Sequence, residues 1–260
     1  MKPRRTLAAA ATAALTLLAA AAPAAAATIE GTGGPDRLEG RPVADTIIGQ
    51  GGADRIWSFA GPDVVRAGAG DDFVESGRGD DRVWADVPSE YGLPGDGDDV
   101  VRSGPGDDWV SLSGGVNWAH LGRGDDVFES GQPYAADVVH LGPGNDRTSY
   151  GLGAKTIYGG PGRDRIDHQR GSSRLYGGAG ADVLDGGETG DQMYGGLGPD
   201  LVIEAEGTAR DHIDAGRGDD RIRYSGHDTV IDCGPGDDVV RMQTGSTPKL
   251  RWCEKVVLVG

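Results

Sequence analysis

An acidic residue returns every nine positions along this chain: Asp36, Asp45, Asp54, Asp63, Asp72 and Asp81, without a slip. A period of nine is neither the 3.6 of a helix nor the 2 of a strand, so it marks a repeating supersecondary unit. The series continues in register through Glu90, Asp99, Asp108, Asn117 and Asp126. After two inserted residues it resumes at Asp137 and Asp146, then runs through Lys155, Asp164, Ser173, Asp182, Asp191 and Asp200. Asp211, Asp220, Asp228 and Asp238 end it with small slips. In all, about 23 units account for most of the chain.

A second signal lies two residues after each acid. It reads Leu38, Ile47, Ile56, Val65, Val74, Val83, then Val101, Val110, Ala119, Phe128 and Val139. It goes on through Ile157, Ile166, Leu175, Leu184, Met193, Val202, Ile213, Ile222, Val230 and Val240, with Gly92 and Thr148 as the exceptions. β-Branched residues dominate, and the flanking positions are mostly polar (Arg55, Glu75, Arg82, Arg102, Arg221). That is a three-residue strand with a buried centre. The six residues before it are glycine-rich, with glycine favoured at positions two and four, where the backbone can take angles other residues avoid. Such a loop turns the chain once, so two units make one coil of eighteen residues. The predicted fold is all-β: a two-sheet parallel β-roll, with apolar centres facing each other inside. At about 4.8 Å per rung, some eleven coils give a rod roughly 55 Å long.

The eighteen-residue echo is plainest between Gly159 and Asp200. GGPGRD, GGAGAD and GGLGPD start eighteen residues apart, and the loops between them, HQRGSS and GGETGD, match poorly. The units GGPGRDRID, GGAGADVLD and GGLGPDLVI resemble the nonapeptide of the RTX family, the hemolysin-type calcium-binding repeat. The resemblance spans about Gly31 to Arg241. It implies a parallel β-roll holding several Ca²⁺ ions between stacked loops. Each ion would take the position-six Asp and loop carbonyls from one loop and from the loop one coil away. The family's toxins and proteases carry separate lytic or catalytic domains. Here the repeats fill the chain after an N-terminal leader pattern, so no lytic or enzymatic activity is carried over.

The chemistry of the repeat agrees with that implication. Ca²⁺ takes six to eight hard oxygens at about 2.3–2.6 Å, and glycine loops expose carbonyls while one Asp per loop supplies charge. Without the ion, a column of Asp repels itself over a thin core, so folding is expected to be coupled to metal. Alternate loops fall on opposite edges of the roll. On one edge the candidate ligands are Asp36, Asp54, Asp72, Asp108, Asp126, Asp146, Asp164, Asp182, Asp200, Asp220 and Asp238, interrupted at Glu90. On the other edge Lys155 and Ser173 replace Asp, and a shorter metal column is expected near Asp63, Asp81 and Asp99.

The remaining features bound the setting. Residues 1–27 read as a secretory leader, with Lys2, Arg4 and Arg5 before an Ala/Leu-rich run and small-residue cleavage sites near Ala26 and Ala27. A secreted, extracellular location follows. Cys233 and Cys253, an even count in such a chain, suggest a disulfide. Residues 28–241 form the expected roll and 242–260 a C-terminal cap. The net charge of −16 argues against nucleic acid and anionic membranes as partners. No later segment reads as a membrane span, and a monomer is expected. Three Arg-Gly-Asp triplets arise from the repeat itself. No Ser-His-Asp or Cys-His arrangement is evident. Trp57, Trp84, Trp109 and Trp118 fall at outward positions, which leaves binding of a cell-surface or extracellular glycan as an alternative role. His120 and His140 share position nine on adjacent coils, where they would stack.

Overall fold

The computed structural model describes residues 25–86, 97–130, 136–149, 151–204, 210–226 and 229–259. Two parallel sheets run the length of the molecule, one of 14 strands and one of 12 among the described residues. The chain crosses from one to the other after each strand, apart from Arg147–Ser149 and Gly151–Leu152, which both lie in the first sheet, so each coil adds one rung to both. The first sheet begins Thr28–Glu30, Thr46–Gly51, Val64–Ala69 and Arg82–Asp86; the second begins Arg37–Glu39, Arg55–Trp57 and Phe73–Glu75. The short strands follow from the unit itself: glycine and Asp close each strand almost as soon as β-branched residues open it.

The core is the apolar centre of each unit, stacked in two facing rows. Ile47, Val65, Val83 and Val110 are fully buried in the first sheet, and Ile56, Val74, Val101 and Ala119 in the second. Each such side chain contributes about 1.5–3 kcal/mol by burial, yet there is only about one per strand. Thr148, a polar centre, is reconciled by its hydroxyl, which accepts the Asp167 N–H at 2.8 Å and donates to the Asp167 carbonyl at 3.1 Å.

Register departs from the sequence expectation in two places. Val74 pairs with Val101 and Val83 with Val110, an offset of 27 residues instead of 18. The coil that spans Glu90 is therefore 27 residues long; Glu90 itself and Gly92 lie outside the described residues. The reason is legible in hindsight. ADVPSE has no glycine at positions two and four, and its strand centre would be Gly92, which has no side chain to bury. The second departure is a one-residue slip. Ile231, not Val230, is the buried centre, paired with Ile213, so Thr229 and not Asp228 stands at position six.

The final residues extend the roll. Lys249–Arg251 joins one sheet and Lys255–Val259 the other, both in parallel. These two strands form the last coil, exposing Trp252, Val256 and Leu258. Cys233 and Cys253 are disulfide-bonded, tying this coil to the loop before it. No helix of the described residues is long and apolar enough to cross a membrane.

Candidate metal columns

Each edge of the roll carries a column of position-six residues, and the 27-residue coil decides which residues share one. Asp36, Asp54 and Asp72 are followed by Asp99, Asn117, Asp137, Lys155, Ser173, Asp191 and Asp211. Asp45, Asp63 and Asp81 are followed by Asp108, Asp126, Asp146, Asp164, Asp182, Asp200, Asp220 and Asp238. The expected long column is therefore corrected. Its first three members lie on the opposite edge from the rest, because the skipped unit moves every later loop across. Asp63 and Asp81 stand with Asp108, while Asp99 stands with Asp72. The edge starting at Asp45 carries Asp at every rung to Asp238.

The columns are built by one repeated bond. The backbone N–H of each position-six residue donates to Oδ1 of the Asp one coil on, at 2.7–2.9 Å along the Asp45 edge. The last N–H, from Asp238, donates to Oε2 of Glu254 at 3.1 Å. One carboxylate oxygen per Asp is thereby fixed. The other, Oδ2, is buried and meets no donor at Asp63, Asp81, Asp108, Asp126, Asp146, Asp164, Asp182, Asp200, Asp220 and Asp238. On the Asp36 edge the same is true of Asp54, Asp72 and Asp99. A buried unpartnered oxygen is costly, and a row of them in register points to a shared missing partner.

What surrounds these oxygens fits a hard cation. The point where a Cβ on Gly177 would sit lies 2.7 Å from Asp182 Oδ2 and 2.6 Å from the Gly195 carbonyl of the next coil. Beside Gly31 the corresponding distances to Asp36 Oδ2, which differs from the others in accepting the Thr32 hydroxyl at 2.9 Å, and to the Gly49 carbonyl are 2.8 and 2.6 Å. Carboxylate and carbonyl oxygens converge there from two stacked loops, at spacings near Ca–O bond lengths of about 2.3–2.6 Å. The loop glycines keep the carbonyls in place: Gly178 and Gly180 have φ of 114° and 152°, and a Cβ on either would overlap the loop of the previous coil.

Electrostatics agree. Burial, reinforced by neighbouring carboxylates, pushes Asp108 up to about 8 and Asp146, Asp164 and Asp200 up to about 7. Asp54, Asp63, Asp182 and Asp238 are raised as well, chiefly by burial. Each backbone N–H bond opposes the rise without cancelling it. A carboxylate row in this state calls for protons or a cation.

Farther along, several rungs of the Asp36 edge are satisfied from within the chain. The Lys155 ammonium sits 2.6 Å from Asp137 Oδ2, both side chains fully buried. Ser173 Oγ accepts the Lys155 N–H at 3.0 Å and lies 3.1 Å from Nε2 of His168, which burial keeps low in pKa. Thr229 Oγ1 donates to Asp211 Oδ2 at 3.1 Å. These replacements explain the poor match of the intervening loops.

A position-five ladder, not expected from the sequence reading, flanks the columns. Asp98 N–H reaches Asp71 Oδ1 at 2.9 Å, and Asp125 N–H reaches Asp107 Oδ1 at 2.9 Å, both exposed. The signal was present in the repeated Asp-Asp doublets. The four tryptophans, by contrast, do not share a strip. Trp57 and Trp118 are on one sheet, Trp84 and Trp109 on the other, and the Arg37 guanidinium lies 4.3 Å from the Trp57 ring centre. The continuous aromatic row runs instead through His140, Tyr158, Tyr176 and Tyr194, stacked 4.5–4.8 Å apart, with His120 stacked 6.2 Å from His140.

Comparison with protein families matches the chain to the RTX calcium-binding nonapeptide repeat over residues 30–58, 57–86, 94–128, 151–175, 169–202 and 207–230. No curated protein sequence matches the chain.

Proposed function

This chain belongs to the RTX calcium-binding nonapeptide repeat family, and on that footing we propose that it is an exported, non-enzymatic protein folded by a row of Ca²⁺ ions and serving a structural or surface-interaction role. The observation that carries the reading is the buried row of Asp Oδ2 oxygens without donors, facing loop carbonyls of the next coil. The ligands are Asp63, Asp81, Asp108, Asp126, Asp146, Asp164, Asp182, Asp200, Asp220 and Asp238 on one edge. Asp36, Asp54, Asp72 and Asp99 serve on the other. When bound, calcium neutralises the stacked carboxylates and bridges adjacent coils; the protein supplies the oxygens and the glycine loops that expose them. Because few such oxygens converge in an unfolded chain, binding free energy becomes folding free energy.

Export is supported by the leader pattern of residues 1–27 and by the disulfide. A glycan-binding role draws less support, because the stacked rings cover one another's faces. Far-ultraviolet circular dichroism tests the central claim: the β signal should be lost in chelator and return with Ca²⁺. A folded spectrum that survives complete metal removal would sink it. Counting bound ions by native mass spectrometry localises the sites, since Asp182→Asn should lower the number held.

A further inference from the structure

Glu204 occupies loop position one on the Asp36 edge, where the calcium loops with the clearest cradles carry glycine. It ends the strand Leu201–Glu204, and the alternation of that strand turns it inward with Val202. The residue is 2 % exposed, and neither carboxylate oxygen meets a hydrogen-bond donor. Space for it comes from the coil before. Gly186 has no side chain, and a Cβ there would come within 3.1 Å of Glu204 Oε2. Two position-six acids face the same spot. Oxygens of Asp191, Glu204 and Asp211 lie within 4.8 Å of one another, and all three residues are buried.

Three carboxylates at this spacing need positive charge. Two coils earlier on the same edge, the Lys155 ammonium meets that need for Asp137. Among the described residues no Lys or Arg ion-pairs with Asp191, Glu204 or Asp211. Oxygens bound to one Ca²⁺ at about 2.4 Å lie no more than about 4.8 Å apart, so the triad matches the span of a single ion. We propose that Asp191, Glu204 and Asp211 form a separate site for one divalent, oxygen-seeking cation, with Ca²⁺ the natural occupant, on the edge where the repeat loops have lost their ligands. It differs from the repeat sites in kind: a Glu side chain takes the role that a main-chain carbonyl has there. It does not depend on the Asp45 column binding metal.

Native mass spectrometry of the full chain titrated with CaCl₂ tests the assignment. Glu204→Gln, which keeps the shape and removes a charge, should hold one ion fewer than the wild type. Asp191→Asn, whose Oδ1 can still accept the Ser173 N–H, should lose the same single ion and serves if the first variant does not fold. Asp182→Asn reports the other edge: loss of ions there with none lost in Glu204→Gln overturns this site and leaves the column intact. Loss in Glu204→Gln alone upholds the site and removes the column. An unchanged ion count in Glu204→Gln, with greater stability in chelator, would show that the triad is held by a shared proton, and the assignment fails.

Discussion

The two edges of this roll share one backbone and differ in how they neutralise it. Along the Asp45 edge, each rung from Asp63 onward repeats Asp, a paired Oδ1 and an unpartnered Oδ2. Along the Asp36 edge, the rungs at Asp54, Asp72 and Asp99 do the same. Later rungs substitute an internal ammonium at Lys155 and hydroxyls at Ser173 and Thr229. The difference shows that the coil geometry does not require metal at every loop. It requires that each buried carboxylate meet positive charge or a donor, from the solvent or from the chain.

The largest expected effect follows from pH. In chelator, Asp108, Asp164 and Asp200 of the column have folded pKa values raised by burial above the unfolded value of about 3.8, to about 8, 7 and 7. The metal-free fold therefore binds more protons than the unfolded chain, and its stability is fully present below about pH 4 and lost as pH rises toward 8. With saturating Ca²⁺ the trend should vanish or reverse, because the ion competes with protons for the same oxygens. Thermal melts across this range, with and without Ca²⁺, read the contrast; parallel curves would break it.

Next comes Lys155. Lys155→Ala leaves Asp137 buried without its cation, at a cost of about 3–5 kcal/mol. If a metal and an ammonium are interchangeable here, added Ca²⁺ should restore part of that loss in urea unfolding. A cost that Ca²⁺ leaves untouched would mean the two edges obey different rules. Smaller still is the disulfide, where Cys233→Ser with Cys253→Ser should cost about 3 kcal/mol. Hydrogen exchange should rise first in the last coil and not in the middle of the Asp45 column. The smallest effect is expected at Ser173→Ala, about 1–2 kcal/mol from an unsatisfied Lys155 N–H, with no change in ions bound. A lost ion there would place metal on the relaxed part of the Asp36 edge.

Much of this was legible from the spacing. The nine-residue period gave the coil, and the apolar residue two places after Asp gave the core, because both are local rules that every rung obeys. Edge membership was not legible past Asp81. Spacing alone cannot say whether the unit at Glu90 builds a rung or leaves the ladder, and that choice moves Asp108 beneath Asp81 instead of Asp72. The pairing of Lys155 with Asp137 and the meeting of Glu204 with Asp191 and Asp211 were hidden for a related reason. They join residues of neighbouring coils, which only register brings together. The slip to Ile231 turned on one residue in a variable loop.

The 27-residue coil has a consequence for how such a chain tolerates changes in length. Insertions are quantised by parity. Eighteen residues add a full turn and leave every downstream loop on its own side. The two-residue additions, one before Asp137 and one before Asp211, change nothing below them. A nine-residue unit that joins the ladder acts like a half-twist: it carries an unaltered downstream sequence to the opposite side, whereas nine residues that stay out of the ladder leave it in place. A single duplication or deletion of one ladder-forming unit can thus exchange the two faces of the rod without altering a single ligand.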